Sequence, residues 1–203
     1  MNYCNHCGAR IERRIPEGDN RLREVCTACG YIHYQNPKIV AGCIAEWGDR
    51  ILLCRRAIEP RYGLWTLPAG FMENGETALE AAIRETQEEA NARVEVSGLF
   101  ALLNLPHVNQ VYMIFRAEVI AMDGEPGAES LEVQPLDETS IPWDRLAFPT
   151  ILHALRFYYS DRRAGAFGFH MGDIIKNGDG ASFVARRASP EGLTPGAIAS
   201  THR

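Results

Sequence analysis

Gly70-Phe-Met-Glu-Asn-Gly-Glu76-Thr-Ala-Leu-Glu-Ala-Ala-Ile-Arg84-Glu-Thr-Gln-Glu-Glu89-Ala-Asn-Ala92 is the stretch that decides the fold. Leu79, Ala82, Ile83, Thr86 and Ala90 recur at helical spacing, which predicts a helix over Ala78 to Ala92 with that face turned inward. Thr77, followed three residues later by Glu80, reads as the capping box that starts it. Glu85, Glu88 and Glu89 fall within an arc of about 100° on one side of such a helix. Like charges at that spacing repel, so either solvent and nearby arginines screen them or a hard cation sits among them. Glu76, just before the helix, can approach the same cation. Taken by itself, a glutamate-rich helix is most simply a solvated acidic face.

Upstream, Ile39 to Trp47, the Gly48-Asp49 turn and Ile51 to Cys54 read as a β-hairpin. Downstream, strands are expected at Val94 to Leu103, at Val111 to Ile120 and near Leu131 to Gln134, with a Gly/Pro loop at Asp123 to Ala128. Pro149 to Tyr159 reads as a second helix, burying Ile151, Leu152, Leu155 and Tyr158 or Tyr159. The sheet is thus interrupted by a helix in an α/β (α+β) arrangement spanning residues 35–160. Residues 161–203 are rich in Gly, Ser and charge, and those after about Gly178 are expected to be poorly ordered.

The first 34 residues are polar and turn-rich, too poor in apolar side chains to form a core of their own. Cys4-Asn-His-Cys7 and Cys26-Thr-Ala-Cys29 reproduce the spacing of a closed four-thiolate zinc site, which would be structural. A redox dithiol pair or an iron-sulfur site explains two such knuckles less well. Cys43 and Cys54, alone in apolar runs, are expected to be buried thiols in strands.

A net charge of -5 and a pI near 5.7 give no global field for nucleic acid or an anionic membrane, so neither is an expected partner. No run approaches the length of a membrane span, and MNYCNHCGAR has no signal-peptide core. A cytoplasmic location is expected.

The frame Gly70, five residues, Glu76, seven residues, Arg84-Glu85-Thr86-Gln87-Glu88-Glu89 resembles the Nudix box, G-x5-E-x7-R-E-U-x-E-E-x-G-U, where U is a bulky aliphatic residue. Thr86 and Ala92 depart from it at U positions, and Asn91 stands where glycine is usual. Asn91 can adopt the left-handed conformation that would end the helix. The resemblance implies a mixed β-sheet sandwiched between helices, with the box as loop-helix-loop, and hydrolysis of a nucleoside diphosphate-linked metabolite. It implies magnesium or manganese on Glu85, Glu88 and Glu89, and an Arg84 that orients a glutamate by salt bridge. Glu129 or Glu132 would be a further acid, acting as general base or ligand.

A zinc ribbon ahead of a Nudix domain is shared with NADH pyrophosphatases, but their S-Q-P-W-P-F-P-x-S signature is absent here. Tyr34-Gln-Asn-Pro-Lys38, Leu53-Cys-Arg-Arg56, Gly63-Leu-Trp-Thr-Leu-Pro-Ala-Gly70, Glu129-Ser-Leu-Glu132 and Leu146-Ala-Phe148 are more similar to plant-type FAD pyrophosphatases and their bacterial relatives. That likeness implies a dinucleotide substrate, FAD cleaved to FMN and AMP, with ADP-ribose or NADH as alternatives, and a homodimer. Arg55 and Arg56 follow a strand, so alternation would send one toward a substrate phosphate. Tyr62, Phe100 and Tyr112 could stack on a base, although aromatics there are more often core. Two readings of another class stay open: a non-catalytic ligand sensor, and a ribbon that uses Arg10, Arg13, Arg14, Arg21 and Arg23 on capped RNA. A ribbon that serves only dimerisation or domain docking is a third.

Overall fold

The computed structural model describes residues 1–177, 180–189 and 192–195, and it divides into two compact units, Met1–Pro37 and Lys38–Arg203. In the first unit, β1 (Ile11–Arg14), β2 (Arg23–Cys26) and β3 (Ile32–His33) form a small antiparallel sheet. Its apolar content is slight: Val25, Cys4 and Cys26 are its buried hydrophobic side chains.

The second unit is built on a mixed sheet. Its strands are β4 (Lys38–Trp47), β5 (Arg50–Arg56), β6 (Trp65–Thr66), β7 (Ala69–Phe71), β8 (Ala92–Leu105), β9 (Gln110–Met122), β10 (Ser130–Leu136), β11 (His170–Asn177), β12 (Gly180–Ser189) and β13 (Gly192–Pro195). The spatial order is β10-β5-β4-β9-β8-β11-β12-β13, with β6 on β5 and β7 on β4. β4 runs parallel to β9 and β11 parallel to β8, while the other pairs are antiparallel.

β4 is buried without a break from Val40 to Ala45, as expected of a strand covered on both faces. Its side chains alternate between two cores. Ala41, Cys43 and Ala45 meet Ala81 and Ala82 of helix α1 (Ala78–Ala90); Val40 and Ile44 share the other core with Ile151, Leu155 and Tyr158 of helix α2 (Pro149–Ala164). The sheet therefore lies between two helices. Removing Leu155, which is fully buried, should cost about 2–5 kcal/mol.

α1 begins with the expected capping box and ends at Asn91, which takes the left-handed conformation at φ 46°. Ala82, Thr86 and Ala90 are buried as expected, but Leu79 and Ile83 are exposed, and Ala81 and Glu89 are buried in their stead. Small residues let the helix approach the small side chains of β4 closely, and Glu89 is drawn inward by a backbone amide described below. α2 runs five residues beyond its expected end and buries His153 in place of Leu152. Its stop is Gly165, at φ 69°.

Beyond residue 160 the structure differs most from the expectation. β11 joins the edge of β8, and Asn104 Nδ2 donates to Asp173 Oδ1 at 3.1 Å and to the Gly172 carbonyl at 3.3 Å. β12 and β13 continue the sheet within the stretch expected to be poorly ordered. Residues 178, 179, 190, 191 and 196–203, which also fall in that expectation, lie outside the described residues. Pairing with a strand some seventy positions away forms β11, a source of order that local composition does not reveal. No helix among the described residues is long and apolar enough to cross a membrane.

Candidate active site and zinc centre

In the first unit, the turns after Cys4 and Cys26 bring Cys4, Cys7, Cys26 and Cys29 together with all four Sγ atoms within 4.8 Å. Sγ separations are 3.4 Å for Cys7–Cys26 and Cys7–Cys29 and 3.9 Å for Cys4–Cys29. Four sulfurs at roughly 2.3 Å from one zinc ion would stand roughly 3.8 Å apart, so the donor set fits tetrahedral zinc. The His6 amide points at Cys4 Sγ, and the Ala28 and Cys29 amides point at Cys26 Sγ, each at 3.4 Å. The Cys29 amide first, and then the Ala28 amide, pull the Cys26 thiol down to about 6 against the effect of burial, toward the thiolate that metal requires. Zinc held by these four sulfurs would have no open position, the arrangement of a structural site.

In the second unit, β7 and the second half of α1 face a cleft of about 1070 Å³. The sharpest feature is Arg84. Its Nε and Nη2 donate to the two oxygens of Glu76 at 3.0 and 2.8 Å, and Nη1 donates to Glu85 at 2.7 Å and Glu88 at 2.9 Å. Nη2 also donates to the Phe71 carbonyl at 3.1 Å, fixing the arginine to β7. One guanidinium thus gathers three of the four box glutamates. Its fork, together with the Glu73 amide, holds the Glu76 carboxyl at about 2, well below the usual range.

Glu89 is the buried member of the set, accepting a hydrogen bond from the Ala69 amide at 3.0 Å. Burial, assisted by the Glu85 and Glu129 carboxylates, pushes its pKa up to about 8 against the pull of that amide. Burial raises Glu85 as well, and Glu88 and Glu129 add to the rise while Arg84 opposes it. A Cβ at Gly70 would meet the Glu85 carboxylate, so a side chain there would move that carboxylate from its place beside Arg84.

The structure brings Glu85, Glu88, Glu89, Glu129, Arg84, Arg56 and Gly70 to this one cleft. Glu76 stands behind it on Arg84. The carboxylate oxygens are oriented by Arg84 and Ala69, and among the described residues the ligand set already converged to within 4.8 Å is the thiolate one. Oxygen donors crowded at the cost of raised pKa values nonetheless suit a hard divalent cation, which would relieve their repulsion.

Of the two arginines, Arg56 lines the cleft, its Nε donating to the Pro60 carbonyl at 2.9 Å and its guanidinium 5.2 Å from the Phe148 ring centre. Arg55 points elsewhere, to the Gly63 carbonyl and to Glu132 at 3.8 Å. Glu132 is thereby occupied outside the cleft, which separates it from Glu129. Tyr112 lines the cleft; Phe100 is core, edge-on to Tyr158, and Tyr62 is exposed away from the lining. Cys43 and Cys54 are buried, with burial raising both thiols, Cys43 to about 11. The cleft wall also includes His107, Ile174 and Lys176, which the sequence did not single out. Only strand pairing brings them together.

A mixed sheet between helices, with an arginine-organised carboxylate helix lining a cleft, defines a hydrolase of phosphoanhydrides. The sequence profile of the NUDIX domain matches residues 36–151, and that of the Nudix N-terminal zinc ribbon matches residues 2–35. The chain belongs to the NUDIX domain family and is a Nudix hydrolase. It is 53% identical to a NUDIX hydrolase from Nitrosomonas europaea of known crystal structure, covering 87% of this chain and 100% of that one with a TM-score of 0.84. It is 32% identical to an ADP-ribose pyrophosphatase of Methanocaldococcus jannaschii over 58% of this chain and 71% of that one. Similarity to the NAD-capped RNA hydrolase NudC of Pseudomonas aeruginosa is 27% over 64% of this chain. The match spans 45% of that relative's length.

Proposed function

We propose that the chain hydrolyses the diphosphate of an ADP-linked dinucleotide, with FAD, cleaved to FMN and AMP, as the preferred substrate. The observation that carries the chemistry is the Arg84 fork: it holds Glu85 and Glu88 beside Glu89 and Glu129 in one cleft. Glu85, Glu88 and Glu89 would hold magnesium or manganese, which supplies neutralisation of the phosphate charge and a more acidic water. Arg84 keeps those carboxylates oriented. Glu129, on the loop before β10, faces Glu85 and Glu89 and is the base that removes the proton from the attacking water. Arg56, in the lining of the same cleft, meets a phosphate oxygen, and Gly70 borders the substrate where its missing side chain leaves room for the Glu85 carboxylate.

The FAD preference rests on the likeness of residues outside the box to FAD pyrophosphatases. ADP-ribose or an NAD-like dinucleotide is the second reading, favoured by the names of the Methanocaldococcus jannaschii and Pseudomonas aeruginosa relatives. Initial rates on FAD, NADH and ADP-ribose with each metal decide between them. The same likeness extends to a cytoplasmic homodimer, which light scattering on the purified chain tests for its oligomeric part.

A further inference from the structure

The cleft has a second wall that the diphosphate chemistry does not use. β11 lies parallel to β8, pairing His170 with Ala101 and Asp173 with Asn104. Carried forward, that register sets Lys176 beside His107, and β11 does pack against the short 3-10 turn Pro106–Val108. Ile174 and Lys176 are two residues apart, so they share a face of the strand. Ala181 is the cross-strand partner of Lys176 on β12. All three line the same cleft as Glu85 and Glu88, together with His107 and Val108. Lys176 is exposed, and no hydrogen bond or ion pair to it occurs among the described residues.

The two ends of the cleft therefore differ in chemistry. One is lined with carboxylates; the other is apolar, from Ile174, Val108 and Ala181, with the exposed Lys176 beside them. At about 1070 Å³ the space exceeds what one mononucleotide needs. An ammonium donates three hydrogen bonds and accepts none, so it selects a ring edge made of acceptors. Adenine sets an amino donor beside its N1 and N7 acceptors, whereas an oxidised isoalloxazine sets a carbonyl oxygen beside a ring-nitrogen acceptor at two places and keeps its one N–H donor between the carbonyls.

We propose that the β11–β12 hairpin is the specificity wall of the active site, and that Lys176 binds the carbonyl edge of a flat heteroaromatic ring in the non-adenylyl half of the substrate. This deepens the proposed function and rests on it for the identity of the ring as a flavin.

The test separates ring binding from turnover. Riboflavin, which carries the ring and no phosphate, is titrated by its fluorescence into the wild-type full chain, Lys176→Met and Lys176→Arg; adenosine is titrated by calorimetry into the same proteins. The expected result is riboflavin bound roughly ten-fold more weakly by Lys176→Met, as befits loss of a charged hydrogen bond. Lys176→Arg should restore most of that affinity, and adenosine should be affected at most two-fold. Equal riboflavin affinity in wild type and Lys176→Met, no binding to wild type, or equal loss of both ligands would overturn the wall. In parallel, the ratio of kcat/KM for FAD over ADP-ribose should fall by a similar factor in Lys176→Met. If riboflavin behaves as expected and wild type does not hydrolyse FAD, the wall stands and the flavin substrate falls.

Discussion

Arg84 and Glu76 meet in a two-point fork, Nε to one carboxylate oxygen at 3.0 Å and Nη2 to the other at 2.8 Å, eight residues apart across the start of α1. Because the remaining Nη1 holds Glu85 and Glu88, the fork fixes the position from which both are held. A lysine keeps the charge but has no planar fork and cannot reach three carboxylates at once. Arg84→Lys should lower kcat at least roughly ten-fold while Tm moves by only a few degrees, which steady-state kinetics and thermal unfolding would check. A drop in Tm large enough to explain the lost activity would show the cluster to be mainly a structural tie.

Gly70 leaves room for the Glu85 carboxylate. A Cβ there meets the Glu85 carboxylate, whose displacement would disturb the Arg84 cluster. Gly70→Ala is expected to raise the metal concentration needed for half-maximal rate by about ten-fold or more, at a stability cost of about 1–3 kcal/mol. Metal titrations of activity read the first and denaturant unfolding the second.

His153 gives the second unit an acid limit. It is buried against Phe157 and Phe183, and burial lowers its pKa from 6.5 to about 4. The unfolded chain then takes up the proton first as pH falls, so stability is complete above about pH 6.5 and declines toward pH 4. The loss should be on the order of 2 kcal/mol. His153→Phe should flatten that limb of a Tm-against-pH curve; an unchanged slope would place the acid sensitivity elsewhere.

The thiolate cluster should be separable from the chemistry of the second unit. Cys29→Ser is expected to reduce bound zinc well below one per chain, measured by elemental analysis. Proteolysis should then begin within residues 1–37, since so little apolar surface is buried there. Full zinc content in the variant would contradict four-thiolate coordination.

The features most legible in the sequence are set by near neighbours. The Thr77 and Glu80 cap, the left-handed Asn91, the hairpin of β4 and β5 and the paired cysteines all follow from residues within a few positions of one another. On α1, Ala82, Thr86 and Ala90 face inward as their spacing predicts, while Leu79 and Ile83 are exposed because a close approach to β4 favours alanine. β11 escaped because its partner β8 lies some seventy residues earlier and its own Gly, Asp and Lys resemble a loop. The far wall of the cleft, with Ile174 and Lys176, was hidden for the same reason. Alternation along β5 anticipated that one of Arg55 and Arg56 would face the cleft, but the choice of Arg56 required the tertiary structure.

The most direct test of the central claim is hydrolysis of FAD, NADH and ADP-ribose by the purified chain with magnesium or manganese, beside a Glu88→Gln variant of equal Tm. The account predicts turnover with FAD preferred, products FMN and AMP, and a loss of at least roughly a hundred-fold in kcat in the variant. Absence of turnover on all three substrates, or a Glu88→Gln variant as active as wild type, would contradict it.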